Sequence, residues 1–331
     1  MKSILKILFA PLIWIIHSCS PIGEPVKEQL SNNHYYNRNN TDIIYSSGGN
    51  WFGLGKKAMN VDMDTFEVLN GLFAKDKNNL YCYHNKVSHP KLDLESFYAK
   101  GETAVERDKM NNIGFDKNHV YVTVSKRQGD IYTTGITILE DADPKTFKKI
   151  DYHGWAKDHE RYYYRNALIH VDYDSFTFID EFFSKDKNHV YWHTFSNFVK
   201  TDANPETFVS AEKSKYIAID DKALYVTNYS KDQKEPITIP YTSKDSIKVY
   251  DDMYFKVGRT VYYVGKPILE ADIETFELLE FSYAKDKNHV FYNGKKIEGA
   301  DPNSFEHDEG ARCKDKNGYF LSGEAYEFKE L

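Results

Sequence analysis

Residues 283–306 read YAKDKNHVFYNGKKIEGADPNSFE, and pieces of this stretch recur along the chain. FAKDKNNLYCY starts at Phe73, FDKNHVYVT at Phe115, FSKDKNHVYWH at Phe183 and RCKDKNGYFLS at Arg312. Asp-Lys-Asn therefore occurs at Asp76, Asp116, Asp186, Asp286 and Asp315, with degenerate copies at Asp158 and Asp220 and weaker ones near Gly258 and Thr41. An aromatic, a small residue and usually lysine precede the aspartate, and an apolar–aromatic pair such as Val190-Tyr191 follows. Strand-forming residues flanking a short Asp/Asn cluster predict a hairpin. The aspartate accepts backbone N–H bonds within the bend, and asparagine tolerates a left-handed turn. The lysine between them is expected to point to solvent and discourage edge pairing. Asn293-Gly294 suits a second, two-residue hairpin loop.

The second recurrent element is Asp-x-x-Thr/Ser-Phe, as in VDMDTF from Val61, ADPKTF from Ala142, VDYDSF from Val171, ADIETF from Ala271 and ADPNSF from Ala300. ANPETF from Ala203 and LDLESF from Leu92 are close variants. Asp or Asn followed by proline predicts the cap and first position of a short helical turn. Phe66, Phe147, Phe176, Phe208, Phe276 and Phe305 are the expected core anchors of the array.

Nine repeats follow, about 29 residues apart where plainest and up to about forty elsewhere. The expectation is an all-β fold with short helical turns, made of tandem ~29-residue hairpin repeats stacked as an open array or solenoid, each repeat packing on the next. A closed propeller-like ring is the alternative. Three strands and one helical turn per repeat look too few for four-stranded blades. The stretch 228–257 lacks a clear Asp-x-x-Thr/Ser-Phe element and predicts an interruption.

Asp-Lys-Asn with its apolar–tyrosine pair, followed by Asp-x-x-Thr/Ser-Phe, resembles the DKNYY repeat family of bacterial exported proteins. The resemblance covers about residues 41–331. It implies architecture and export, and it brings no catalytic residue.

The N-terminus fits export. MKSILKILFAPLIWIIHSC places Lys2 and Lys6 before an apolar run too short to span a bilayer comfortably. Residues 1–19 are therefore read as a lipoprotein-type signal peptide with Cys19 as the acylated residue, carrying a lipid such as palmitate. Residues 20–40 are read as a polar tether and 41–331 as the repeat domain. Charge is mildly acidic, 43 Lys+Arg against 50 Asp+Glu, which argues against nucleic acid. Cys82 and Cys313 occupy different places in the repeat, so the pattern does not pair them.

Signals for chemistry are thin. G-x-S-x-G, H-E-x-x-H and the Rossmann glycine fingerprint are absent, and GGNWFGLGKK (48–57) lacks Walker spacing. Lysines beside every repeated aspartate argue against calcium. His119, His189 and His289 come one per repeat and are expected to be solvated or stacked. Insertions after Tyr121, Tyr191 and Tyr225 enter after the same strand, so they should share one side of the array. Trp51, Trp155, Trp192 and Tyr229 lie outside or replace the regular pattern and are the candidate binding aromatics.

The functional expectation is a non-catalytic binding or structural module, without cofactor, lipid-anchored at the bacterial cell envelope (the outer membrane in a Gram-negative cell). Its partner would be an envelope protein or glycan. An envelope hydrolase with a site built from the inserted hairpins, or an immunity-type partner of a secreted protein, are the alternatives.

Overall fold

The computed structural model describes residues 22–47, 56–100, 112–128, 131–150, 154–228 and 232–327. These form nine four-stranded antiparallel sheets in chain order, spanning 22–58, 67–87, 98–138, 148–169, 177–200, 209–240, 247–268, 277–296 and 306–326. Each sheet is a meander with its strands, here a to d, in sequence order, and none closes into a barrel. Every one of the nine bends recognised in the sequence lies between strands b and c of one sheet. The fold is thus all-β, built from tandem hairpin repeats. Two compact bodies divide at Val171/Asp172, the first four sheets in one and the last five in the other.

Four strands fit into 29 residues because each is very short. In the eighth sheet they are Glu277–Leu278, Tyr283–Lys285, Val290–Tyr292 and Lys295–Lys296. This corrects the expected three strands and one helical turn per repeat. The Asp-x-x-Thr/Ser-Phe element is a single β-turn, closed by the Thr275 N–H donating to the Asp272 carbonyl at 3.3 Å. Proline suits position i+1 of such a turn for the same φ that suits it to a helix start. The one helical turn among the described residues is the 3₁₀ segment Lys244–Ser246, which stands where that element is missing. No interruption results: Ile237–Pro240 completes the sixth sheet, and Ile247–Val249 and Tyr254–Val257 begin the seventh. The polar tether is also corrected, since Ile22–Pro25 and His34–Asn37 are strands a and b of the first sheet.

Alternation along strands b and c explains the packing, because successive side chains leave opposite faces of a sheet. In the second sheet Phe73, Leu80 and Cys82 face the third, where they meet Phe97, Tyr121 and Ile136. Ala74 and Tyr81 face the first sheet and meet Ile43, Tyr45 and Met59. Within the second body the eighth sheet does the same: Ala284 and Phe291 face the seventh, and Tyr283 and Val290 face the ninth.

In the third repeat the small residue lies beneath the phenylalanine that begins the same repeat. At Gly114 an added Cβ would come within 2.2 Å of the Phe97 ring. Phe147, Phe176, Phe208, Phe276 and Phe305 are buried as expected, as is Phe97, while Phe66 is half-buried. The lysine preceding the repeated aspartate ties one repeat to the next. Lys75 Nζ donates to the Glu95 and Phe97 carbonyls at 3.2 and 2.8 Å, Lys185 Nζ to Pro205 at 2.7 Å and Lys285 Nζ to Phe305 at 3.3 Å. On the ninth sheet Arg312 and Lys314 ion-pair with Asp308, giving a charged outer face of the kind that caps a repeat array.

Candidate functional site

Each meander has two ends, and they differ in kind. At one end sit the b–c bend and the Asp-x-x-Thr/Ser-Phe turn, locked together across 14 residues. In the second repeat Asp76 Oδ1 accepts the N–H groups of Asn78 (2.8 Å) and Asn79 (2.7 Å). Asp76 Oδ2 accepts the Asp62 N–H at 3.0 Å and the Tyr81 hydroxyl at 2.6 Å. The Lys77 N–H donates to Thr65 Oγ1 (3.1 Å), and the Thr65 hydroxyl donates to Asp62 Oδ1 (2.8 Å). Lys77 Nζ lies 2.7 Å from Asp62 Oδ2.

This latch recurs. The turn N–H reaches the bend carboxylate from Asp93 to Asp116, Asp143 to Asp158, Asp172 to Asp186, Asn204 to Asp220, Asp272 to Asp286 and Asp301 to Asp315. Tyr121, Tyr163, Tyr191 and Tyr225 donate their hydroxyls as Tyr81 does, at 2.7–2.9 Å. In the eighth and ninth repeats phenylalanine (Phe291, Phe320) replaces that tyrosine.

Two expectations about the bend change. Asn78, Asn118, Asn188 and Asn288 do not adopt positive φ, because the aspartate oxygen stands in for the carbonyl that would close the turn. The bend lysine is not simply solvated: Lys77, Lys117, Lys187, Lys287 and Lys316 each pair with the turn aspartate at 2.5–2.7 Å. They remain more than half exposed, so solvent screens each pair and it adds little to stability.

The electrostatics follow from burial and hydrogen bonding. Burial by itself would raise the Asp76 carboxyl, but the Tyr81 hydroxyl and the three backbone N–H groups outweigh it and hold the pKa at about 2. Asp116, Asp158 and Asp186 are lowered by the same balance. Both oxygens of each carboxylate are occupied by donors from its own repeat, which leaves little capacity for a ligand. His119, His189 and His289 sit edge-on to Tyr121, Tyr191 and Phe291, beside the same carboxylates. Among the described residues no three His, Cys, Asp or Glu side chains are grouped to hold a metal ion.

The opposite end carries the a–b and c–d turns, and here the repeats diverge. The insertions extend the c–d hairpin. In the third sheet this gives Val120–Gln128 paired with Ile131–Ile138 over eight residue pairs. In the fifth and sixth sheets the insertions touch, Asn197 Nδ2 donating to the Gln233 carbonyl at 3.2 Å. Phe195, at the tip of the fifth-sheet insertion, is 78% exposed.

An a–b turn departs from rule in the eighth sheet. Elsewhere Asn70, Asp180 and Asp251 each accept two N–H bonds that fold this turn. Glu280 occupies that place, and its extra methylene forfeits the short-range bond. The chain instead takes positive φ at Phe281 (53°) and Ser282 (64°), a conformation uncommon for non-glycine residues. Phe281 is half exposed and stacks on His307 of the ninth sheet at 5.4 Å. Beside it Leu278, Leu279, Glu280, His307 and Cys313 line an open cleft of about 380 Å³. Glu280 lies 3.9 Å from His307 Nδ1, whose Nε2–H donates to the Gly310 carbonyl at 2.6 Å.

The candidate aromatics are distributed differently from expectation. Trp155 and Trp192 are core residues, at 2% and 0% exposure. Trp155 takes the strand-b position held by Phe73 and Phe183, and Trp192 takes the strand-c position held by Cys82, with its indole N–H on Thr227 Oγ1 at 2.9 Å. Trp51, Tyr229 and Cys19 lie outside the described residues. Cys82 and Cys313 are free and buried, and burial pushes their thiols up to about 12 and about 11, so neither is a ready nucleophile. Phe195 and Phe281 were not singled out by sequence; a signal for Phe281 was the glutamate standing where the second, fifth and seventh repeats carry Asn or Asp.

Comparison with curated proteins and with solved structures gave no match. The DKNYY family profile matches three overlapping stretches, residues 35–194, 90–228 and 155–324. Together these span most of the chain, so the chain belongs to the DKNYY family.

Proposed function

We propose that the protein is a non-catalytic binding module of the bacterial cell envelope, lipid-anchored through Cys19, whose contact surface is the end of the sheets carrying the a–b and c–d turns. One observation carries this reading: the repeated carboxylates are consumed by hydrogen bonds within their own repeats, whereas the insertions that lengthen individual repeats lie at the other end. A scaffold that repeats its invariant chemistry at one end and varies its loops at the other suits recognition by shape and aromatic contact. The exposed Phe195, and Phe281 at the cleft rim, are the contact residues within it.

Crosslinking in intact envelopes tests the reading. Phe195→Ser with Phe281→Gly should abolish the crosslinked partner captured by wild type, and Lys287→Ala, at the latch end, should leave it. Loss with Lys287→Ala and retention with the loop-end pair would reverse the assignment. Labelling with a fatty-acid analogue should mark wild type and not Cys19→Ala; equal labelling of both would remove the anchor.

A further inference from the structure

We propose that the first sheet is a pH-sensitive element, released from the second sheet when His34 takes up a proton. His34 opens strand b of the first sheet and is fully buried, in a segment whose polar composition suggested only a tether. Its Nδ1 lies 2.8 Å from the hydroxyl of Ser31, which is itself 1% exposed and also accepts the Asn33 N–H at 3.1 Å. Its Nε2 is buried and has no hydrogen-bond partner among the described residues. In either neutral tautomer one nitrogen is satisfied and the other is bare. An imidazolium needs two acceptors, and Ser31 Oγ supplies one.

The surroundings offer the cation little else. Tyr45 of strand c stands edge-on at 5.2 Å, and Phe66, from the turn that begins the second repeat, lies at 6.2 Å. The Tyr45 phenol is pushed up by burial and stays neutral, and its oxygen accepts Asn33 Nδ2 at 3.2 Å. Beyond Tyr45 lies His84 of the second sheet, lowered by burial and by Lys57. No carboxylate is paired with His34 among the described residues, and burial alone lowers its pKa from 6.5 to about 4.

The first sheet is held to the second by packing and by a hydrogen bond from Asn33 Nδ2 to the Gly71 carbonyl at 3.2 Å. Its b–c bend lacks the tyrosine of the latch; its carboxylate, Asp42, accepts the Ile43, Asn60 and Val61 N–H groups at 2.8–3.1 Å, and Asn37 Oδ1 accepts the Thr41 N–H (2.8 Å). It packs on the second sheet through Ile43, Tyr45 and Met59 against Ala74 and Tyr81. A histidine whose folded pKa is depressed favours the folded state above its ordinary pKa and loses that contribution as pH falls toward the folded value. The latch carboxylates, lowered to about 2 in Asp76, remain ionised through that window.

Hydrogen exchange of the full chain, corrected for intrinsic rate, reads the effect in peptides covering 31–46. Between about pH 7.5 and about pH 5 the opening constant there should rise roughly 30-fold, from a pKa falling to about 4 in the folded state. Peptides of the eighth sheet should not respond. His34→Gln should abolish the rise and His84→Gln should keep it. A rise retained in His34→Gln, a rise lost in His84→Gln, or a flat wild type would overturn the proposal. Should His34→Gln not fold, titration of the wild-type ring by NMR decides: a midpoint well below the ordinary histidine range supports it, and one at or above that range refutes it.

Discussion

The tyrosine that donates to the bend carboxylate in five repeats gives the sharpest energetic test of the latch. In Tyr191→Phe the ring, 4% exposed, keeps its packing and only the hydroxyl is lost. That hydroxyl lies 2.7 Å from Asp186 Oδ2, a carboxylate 3% exposed, so its removal leaves a buried charge one donor short. Hydrogen bonds to charged groups contribute about 1.5–3 kcal/mol. With a urea m-value of roughly 2 kcal/mol/M, the midpoint of the transition involving that sheet should fall by roughly 0.7–1.5 M at constant m. The eighth repeat is an internal control. Phe291 stands where the tyrosine would be, and Asp286 Oδ2 accepts the Asp272 N–H without a hydroxyl. Phe291→Tyr should be neutral or stabilise by up to about 1 kcal/mol. Tyr191→Phe within about 0.5 kcal/mol of wild type, or Phe291→Tyr as damaging as Tyr191→Phe, would refute the reasoning.

Further outcomes follow from the same geometry. Phe276→Ala should cost about 3–5 kcal/mol in urea unfolding and far more than Lys287→Ala, whose ion pair with Asp272 is exposed; equal losses would mean the faces are misassigned. Gly114→Ala should cost about 1–3 kcal/mol by driving a methyl into Phe97, and adding Phe97→Leu should recover part of it; additive losses in a double-mutant cycle would deny the contact. Stability should fall as pH drops from about 4 toward 2. The folded carboxyls of Asp76, Asp116, Asp158 and Asp186 lie below their unfolded values, so the unfolded chain binds more protons in that interval. A flat unfolding midpoint from about pH 4 to about pH 2 would contradict it.

The repeat period, the bend, the small residue before the lysine and the buried phenylalanine were legible because each is local chemistry repeated many times. The number of strands was not, since Glu277–Leu278 and Lys295–Lys296 are too short to show alternation. The partner of the bend lysine was hidden for another reason: Lys287 and Asp272 meet only once the a–b hairpin has folded the chain back. Trp155 and Trp192 looked exceptional by residue type, yet a large side chain at a core position is a volume variant of Phe73 or Cys82. His34 was hidden among polar neighbours, because Ser31 and Asn33 form its hydrogen-bonded surroundings and do not mark a solvated linker.

The central claim is that the repeated aspartates are internal hydrogen-bond acceptors and not ligand sites, and a carboxyl-carbon NMR titration of Asp76 measures this directly. The account predicts a midpoint near 2, unchanged by millimolar calcium. A midpoint in the ordinary carboxylate range, or a resonance that moves on adding calcium, would contradict it.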